Sequence, residues 1–422
     1  MVLAQTIERM YMFENSNVEA ITHCLACGSS DLKLTLDLGS QPLANSYKLN
    51  KDEAQPIFPL AINHCKKCFH VQLTHAVNPD LMFKDYLYVT GTSKTMNDHC
   101  KWFAGYAYEY FFNMTQRRPV DVLDIGCNDG TQLNFFKDKE MQTYGVDPAE
   151  NLLELSSKNH VVWAEYFDDE FVKKLEITSD FDLIVAQNVF AHNYDPLGFL
   201  KSASKVMSNH SLMFIQTSQA DMILNNEFDT IYHEHISFYN TNSMNELCKR
   251  AGLFLVDMVR CPLHGNSYIF VVSKIDRRPE NVKNLVAMDG DLYNEEVYEQ
   301  YENNCQWILH DLQLIESQLR EGGYKLIGYG AAAKGMTLIN WTKLRLDCII
   351  DDNPLKQGRY TPGISIPIVS SDILSTYKPE DKIAFIPLAW NFFDEISKRI
   401  KSVRDNENDL FVTYFPSVEV GK

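Results

Sequence analysis

The segment Val122-Leu-Asp124-Ile-Gly126-Cys-Asn-Asp129-Gly130-Thr131 carries a strand into a glycine-bearing turn. Residues 120–125 read as a buried strand and residues 132–136 as the opening of a helix. Gly126 and Gly130 let the backbone of the turn come close to a ligand at the carboxyl end of the strand. Further strands are expected at 143–146, 181–186, 211–216 and 267–273, with helical stretches between some of them. Strands alternating with helices build a parallel, doubly wound sheet, so the fold class is α/β. The turn is not G-x-G-x-x-G, which sets a dinucleotide aside as first expectation. Asp147 closes the next strand, in Tyr144-Gly-Val-Asp147-Pro148. A carboxylate there can accept both ribose hydroxyls of an adenosine.

A strand, an Asp-x-Gly loop and an acid at the end of the second strand resemble the class I S-adenosylmethionine-dependent methyltransferases. The likeness points to Asp124, Gly126, Asn128, Asp129, Gly130 and Asp147 as cofactor-binding residues. The third strand ends in Ala186-Gln187-Asn188-Val-Phe-Ala191-His192. In such sheets this edge meets the adenine and the methyl-donor end, which adds Gln187 and Asn188. Any other Rossmann-like domain is the plainer alternative.

A second α/β pattern lies towards the C-terminus. Cys305, Ile308, Leu312, Ile315 and Leu319 step at the period of a helix, and Gly322-Gly323 can end it. A strand is expected at 325–329, with later ones at 347–351 and 383–387. The loop Gly328-x-Gly330-x-x-Ala333, with Asp351 near the end of the next strand, also fits a dinucleotide fingerprint. An NAD site, and with it an oxidoreductase, stays open at this point.

Cys24-x-x-Cys27 and Cys65-x-x-Cys68 are two turns of equal spacing, each able to present two thiolates to one cation. Together they complete the tetrahedral four-cysteine set of structural zinc, a closed shell that supports the fold and does not react. A pair of disulfides or four unrelated thiols is the alternative. The formal net charge of -17 argues against a nucleic-acid partner, which zinc knuckles otherwise invite. A chain of 422 residues is too long for one core. Three parts are expected: a small zinc-binding module over 1–85, a Rossmann-like methyltransferase domain over 86–280 and a second Rossmann-like α/β domain over 281–422. No apolar run reaches the roughly 18 residues of a membrane span. Residues 1–15 lack the basic end and apolar run of a signal peptide, so a cytoplasmic location is expected.

The densest chemistry is Phe228-Asp-Thr-Ile-Tyr232-His233-Glu234-His235-Ile-Ser237-Phe-Tyr239, just after the fourth strand, on the ligand side of the sheet. Its spacing is not H-E-x-x-H, and general acid–base work suits it better than a metal. In an extended stretch Tyr232 and Glu234 would share one face, and His233 and His235 the other; a turn would relax that. His233 also suits a buried, hydrogen-bonded histidine.

Taken in order, these motifs resemble the sugar C-methyltransferases that act on nucleotide-linked 4-keto-deoxysugars. The likeness runs from about residue 20 to the end. It rests on the cysteine pairs, the Asp-Ile-Gly-Cys-Asn-Asp-Gly loop, Asn188-Val-Phe-Ala-His192, Ile231-Tyr-His-Glu-His235, Gly265-Asn-Ser267, Gly328-Tyr-Gly-Ala-Ala-Ala-Lys334-Gly335 and Asp352-Asn-Pro354 with Lys356-Gln-Gly-Arg-Tyr360. Asp124 and Cys127 stand where members often have Glu and Ser. The resemblance implies S-adenosylmethionine as methyl donor, structural zinc, and methylation at sugar carbon 3 through an enolate. It makes His235 the base, with Tyr232, Glu234, His192 and Tyr86 around the sugar. It also implies that the C-terminal domain binds the sugar nucleotide, through Lys334, Asn353 and Arg359, with Trp390 and Asn391 at the base. No nucleic acid, membrane or obligate protein partner is expected.

Overall fold

At the centre of the protein, β1 (Asp121–Ile125) is flanked on both sides by parallel strands. The other strands of its sheet are β2 (Gln142–Val146), β3 (Val161–Trp163), β4 (Phe181–Gln187), β5 (Met207–Thr217), β6 (Phe254–Cys261) and β7 (Ser267–Ser273). Their order across the sheet is β6-β7-β5-β4-β1-β2-β3, and only β7 runs antiparallel to its neighbours. The computed structural model describes residues 17–83, 89–92, 94–175, 180–218, 220–261 and 267–422.

The chain direction of the winding reverses between β1 and β4, so the loops leaving these two strands part and open a crevice. Val189, just beyond β4, nevertheless comes so close to the β1 turn that a Cβ on Gly126 would sit 2.1 Å from its Cγ2. Gly126 is also at φ 76°, in the left-handed region. Glycine is therefore required there twice over. Ahead of β1, α1 (Lys94–Thr115) packs across the sheet, and α2 (Thr131–Lys137) follows the loop directly. Phe103, Ala104, Ala107 and Phe111 form the buried face of α1, with Phe103 edge-on to Phe136 and Phe214.

The cysteine module is a small antiparallel sheet of Leu32–Gln41, Phe58–Cys65 and Val71–Leu73. Its fourth strand, Ser237–Phe238, comes from beyond the histidine cluster and pairs with Gln72 and Val71. The module and the central domain are thus joined in one sheet, a link that a division of the chain at residue 85 does not convey. All four cysteines are free thiols, with ligand atoms within 4.8 Å of one another. The Cys24–Cys68 and Cys27–Cys65 sulfurs lie 3.6 and 3.5 Å apart. That is close to the edge of a tetrahedron with Zn–S bonds of about 2.3 Å, and far beyond a disulfide bond.

The C-terminal part opens with α3 (Glu295–Glu321), whose Cys305, Ile308, Leu312 and Leu319 are buried. Asn294 caps its start and Gly322 its end. Next come β8 (Tyr324–Tyr329), α4 (Ala333–Thr342), β9 (Cys348–Ile350), β10 (Ile368–Val369), β11 (Lys382–Pro387), β12 (Leu410–Thr413) and β13 (Glu419–Gly421). The sheet order is β10-β9-β8-β11-β12-β13, parallel up to the last strand. One apolar core runs from Leu36 and Ile62 of the cysteine module through Phe228 and Ile236 to Leu312 and Ile339. Among the described residues no helix is long and apolar enough to cross a membrane.

Because the two cysteine turns bring distant ends of the module to one buried four-sulfur centre, its metal should add to the stability that the shared apolar core supplies. Cys65→Ser is expected to abolish stoichiometric zinc, measured by plasma mass spectrometry, and to lower the thermal midpoint sharply. A wild-type protein that is well folded without zinc would contradict this.

Candidate functional site

A cavity of about 670 Å³ occupies the crevice at the carboxyl ends of β1, β2 and β4. It extends past the histidine cluster to the glycine loop before α4, so all three parts of the chain supply its wall.

At the first end, Asp147 lines the cavity with its carboxylate fixed by two backbone amides, Asn128 N at 2.8 Å and Ala149 N at 2.9 Å. Burial pushes Asp147 up, and the two amides oppose that. Asn128 and Asn188 both hold left-handed backbone, at φ 50° and 57°. Such conformations collect where a backbone is shaped around a ligand. Asp124 is buried at the base of this wall, pushed up to about 8 by burial and then by the charges of Asp147 and Asp129. Gln187 is oriented from behind, donating to Gln132 Oε1 at 2.7 Å, with His99 Nε2 3.2 Å from its own oxygen. Asp124, Gly126, Asn128, Asp147, Gln187 and Asn188 thus share one wall. Asp129 and Gly130 do not reach it: the Asp129 carboxylate accepts from Gly91 N and Thr131 N, and Gly130 caps α2. Gln132 and His99 carried no signal in the sequence, because their partners lie on other elements.

In the middle, residues 232–235 form a turn closed by His235 N donating to Tyr232 O at 2.9 Å. The alternation of an extended stretch therefore does not hold. The turn brings the Tyr232 hydroxyl to 2.7 Å from His235 Nε2. On the other side of the ring, His235 Nδ1 lies 3.0 Å from Thr230 O. A carbonyl only accepts, so Nδ1 carries a hydrogen, and in the neutral ring Nε2 keeps its lone pair. His192 lies 5.3 Å from His235 between ring centroids, stacked on Phe83, and burial pulls it down to about 4. Glu234 is buried and pushed up to about 7 by that burial, against one hydrogen bond from Asn45 at 2.6 Å. His233 is turned away from the cavity wall, buried, with Nε2 3.3 Å from Phe58 O. Tyr86 lies outside the described residues.

At the far end, Ala332, Ala333 and Lys334 line the cavity together with Asn353 and Asn391. Asp351, the acid of the dinucleotide-like pattern, is already engaged by Ala331 N at 2.7 Å, Asn353 N at 2.8 Å and Lys356 Nζ at 3.9 Å. Trp390 stands behind the wall: its indole donates to Asp229 at 3.0 Å and its ring lies 5.0 Å from Lys334 Nζ. Arg359 is also off the wall, its backbone paired with Ile368.

A Rossmann-like sheet with this crevice, beside a four-thiolate centre, suits a methyl-donor site and a structural zinc. The donor sets fit both groups: four sulfurs at zinc spacing, and an amide-held carboxylate at the end of β2 for a ribose. Family models match in sequence as a zinc binding domain over 24–83, a methyltransferase domain over 98–257 and a C-methyltransferase C-terminal domain over 262–416. The three matches succeed one another from residue 24 to residue 416 and support an S-adenosylmethionine-dependent C-methyltransferase. It is 27% identical over 411 residues to the C-methyltransferase NovU of Streptomyces niveus, covering 94% of this chain and 96% of that one. Among solved structures, the plantazolicin methyltransferase BpumL in complex with SAH has a TM-score of 0.35 at 13% identity, over 44% of this chain and 89% of that one. An S-adenosylmethionine-dependent methyltransferase from Clostridium acetobutylicum has a TM-score of 0.33 at 14% identity, over 41% and 90%.

Asp147→Ala removes a charged acceptor worth about 1.5–3 kcal/mol per ligand hydrogen bond. S-adenosylhomocysteine affinity, read by calorimetry, is expected to fall roughly 10- to 100-fold. Unchanged affinity would mean the ribose is held elsewhere.

Proposed function

We propose that this C-methyltransferase methylates carbon 3 of a nucleotide-linked 4-keto-deoxysugar. The observation that carries the reading is the Tyr232–His235 pair, with the lone pair of His235 Nε2 directed at a hydroxyl within the cavity. Bound S-adenosylmethionine supplies an electrophilic methyl carbon. A ketone at carbon 4 acidifies the proton on carbon 3. Tyr232 turns its hydroxyl from His235 Nε2 to the ketone oxygen, and the freed lone pair of Nε2 takes that proton as the enolate forms; Glu234, His192 and Tyr86 complete the polar surround of the sugar. Asp124, Gly126, Asn128, Asp147, Gln187 and Asn188 hold the donor. The amide groups at the start of α4, with Lys334, suit a diphosphate, and Asn353 and Asn391 suit the rest of the nucleotide. Asp129 and Gly130 shape the donor loop from behind, as Trp390 does for Lys334; Arg359 has no contact with the cavity to support a direct role. Holding the reacting carbons at near-attack distance and stabilising the enolate supply most of the rate. The work suits the cytoplasm, where four thiolates stay reduced. Nothing favours an oxidoreductase: the Asp351 carboxylate that would hold an NAD ribose lies off the cavity wall and is paired with Lys356.

The test incubates candidate 4-keto-sugar nucleotides with enzyme and S-adenosylmethionine and looks for a product heavier by one methylene. With S-adenosylhomocysteine in heavy water, the wild type is expected to exchange the carbon-3 hydrogen for deuterium. His235→Asn is expected to abolish that exchange and slow methylation by about 10²–10⁴-fold. Normal turnover in His235→Asn, with loss in Tyr232→Phe, would move the base to Tyr232.

A further inference from the structure

The segment Leu43-Ala-Asn45-Ser-Tyr47-Lys48 belongs to the cysteine module, yet it lies in the cavity wall between the histidine turn and the second glycine loop. It is tied at both ends. Before it, Leu32–Gln41 is part of the module's sheet. After it, Lys48 and Tyr360 exchange two backbone hydrogen bonds of 2.9 Å each. Between those anchors, Asn45 Nδ2 donates to Glu234 Oε1 at 2.6 Å, and the Tyr47 hydroxyl donates to Ala331 O at 2.5 Å. Lys356 Nζ reaches the same carbonyl at 2.7 Å. The segment therefore grips the central turn with one side chain and the C-terminal loop with the next but one.

We propose that Asn45 is a positioning residue of the reaction, fixing the orientation and the proton occupancy of Glu234 from the cysteine module. The inference rests on the function proposed above. Glu234 is only 5% exposed, and among the described residues Asn45 is its hydrogen-bond partner. The groups around it are His233 and His235 on its own turn and Tyr47 on the segment, whose phenol feels the charges of Asp351 and Glu234. Lys356 faces Tyr47 from the C-terminal loop, 5.1 Å from its ring. Burial pushes Glu234 up to about 7, and the Asn45 amide opposes this by favouring the ionised form. Removing that donor must move the titration further upward. Asn45→Asp does the same without changing the side chain's shape, since a second negative charge beside Glu234 disfavours its ionised form.

The experiment titrates the Glu234 carboxyl by infrared spectroscopy in the full-length zinc-loaded protein, with Glu234→Gln assigning the band. Asn45→Ala and Asn45→Asp are expected to raise its midpoint by about one to two pH units. Because Glu234 serves the enolate in its protonated form, the alkaline limb of the methylation rate is expected to rise by the same amount, while zinc content and S-adenosylhomocysteine affinity stay at wild-type values. An unmoved midpoint in both variants, or a moved midpoint with an unmoved rate limb, would overturn the proposal. A moved midpoint in an enzyme whose wild type methylates no 4-keto-sugar nucleotide would instead overturn the substrate reading and leave the hold of Asn45 on Glu234 intact.

Discussion

Ile236 is pinned from two sides, and the site depends on it. Its amide donates to Ala191 O beyond β4, and its carbonyl accepts from Leu73 N of the cysteine module, both at 2.8 Å. Directly after it, Ser237 and Phe238 pair with Gln72 and Val71. His235 is therefore one residue away from a junction where the methyl-donor sheet and the zinc module meet. A buried turn has to satisfy its backbone groups, and here each is satisfied by a different part of the protein. The result is a histidine whose position is set by two folding units at once. Asn240 adds to the junction by donating to Phe69 O at 2.7 Å, directly beside Cys68. Cys65 and Cys68 of the four-sulfur centre lead into the strand Val71–Leu73, which holds the segment that follows His235.

Burial sets the electrostatics of the cavity. Asp124 and Glu234 are pushed up to about 8 and about 7, while His192 is pulled down to about 4. Near neutral pH these groups of the wall are protonated or half-protonated acids and an uncharged imidazole. A histidine that carries no proton on its facing nitrogen acts as a base, and a protonated acid donates a hydrogen bond to an oxyanion. The low dielectric that moves these groups also strengthens every hydrogen bond to a developing charge.

Much of this was legible in the sequence wherever local chemistry was enough. The turn after β1, Asp147 after β2 and the pair Gln187-Asn188 after β4 stand out because a strand end and its turn residues are contiguous. The four cysteines stand out because metal-ligand spacing is itself a local pattern. Other features depend on contacts across the chain. β3 is only three residues long and gave no pattern to read. Gln132 and His99 act through Gln187, and Asn45 acts through a partner 189 residues away. The sequence left open whether residues 232–235 are extended or turned, because the hydrogen bonds that turn the backbone there are set by tertiary packing. Trp390 and Arg359 sit in motifs of the right kind but behind the wall, since the packing of Trp390 on Asp229 and the pairing of Arg359 with β10 are tertiary choices.

The account centres on the state of one imidazole ring. Nitrogen-15 NMR of the histidine-labelled protein, with His235→Asn to assign the signals, reports which ring nitrogen bears the hydrogen. The geometry requires a protonated Nδ1 held to Thr230 O and a bare Nε2 facing Tyr232. A spectrum with the hydrogen on Nε2 would contradict the account, because His235 would then have no lone pair on the cavity side with which to take a proton.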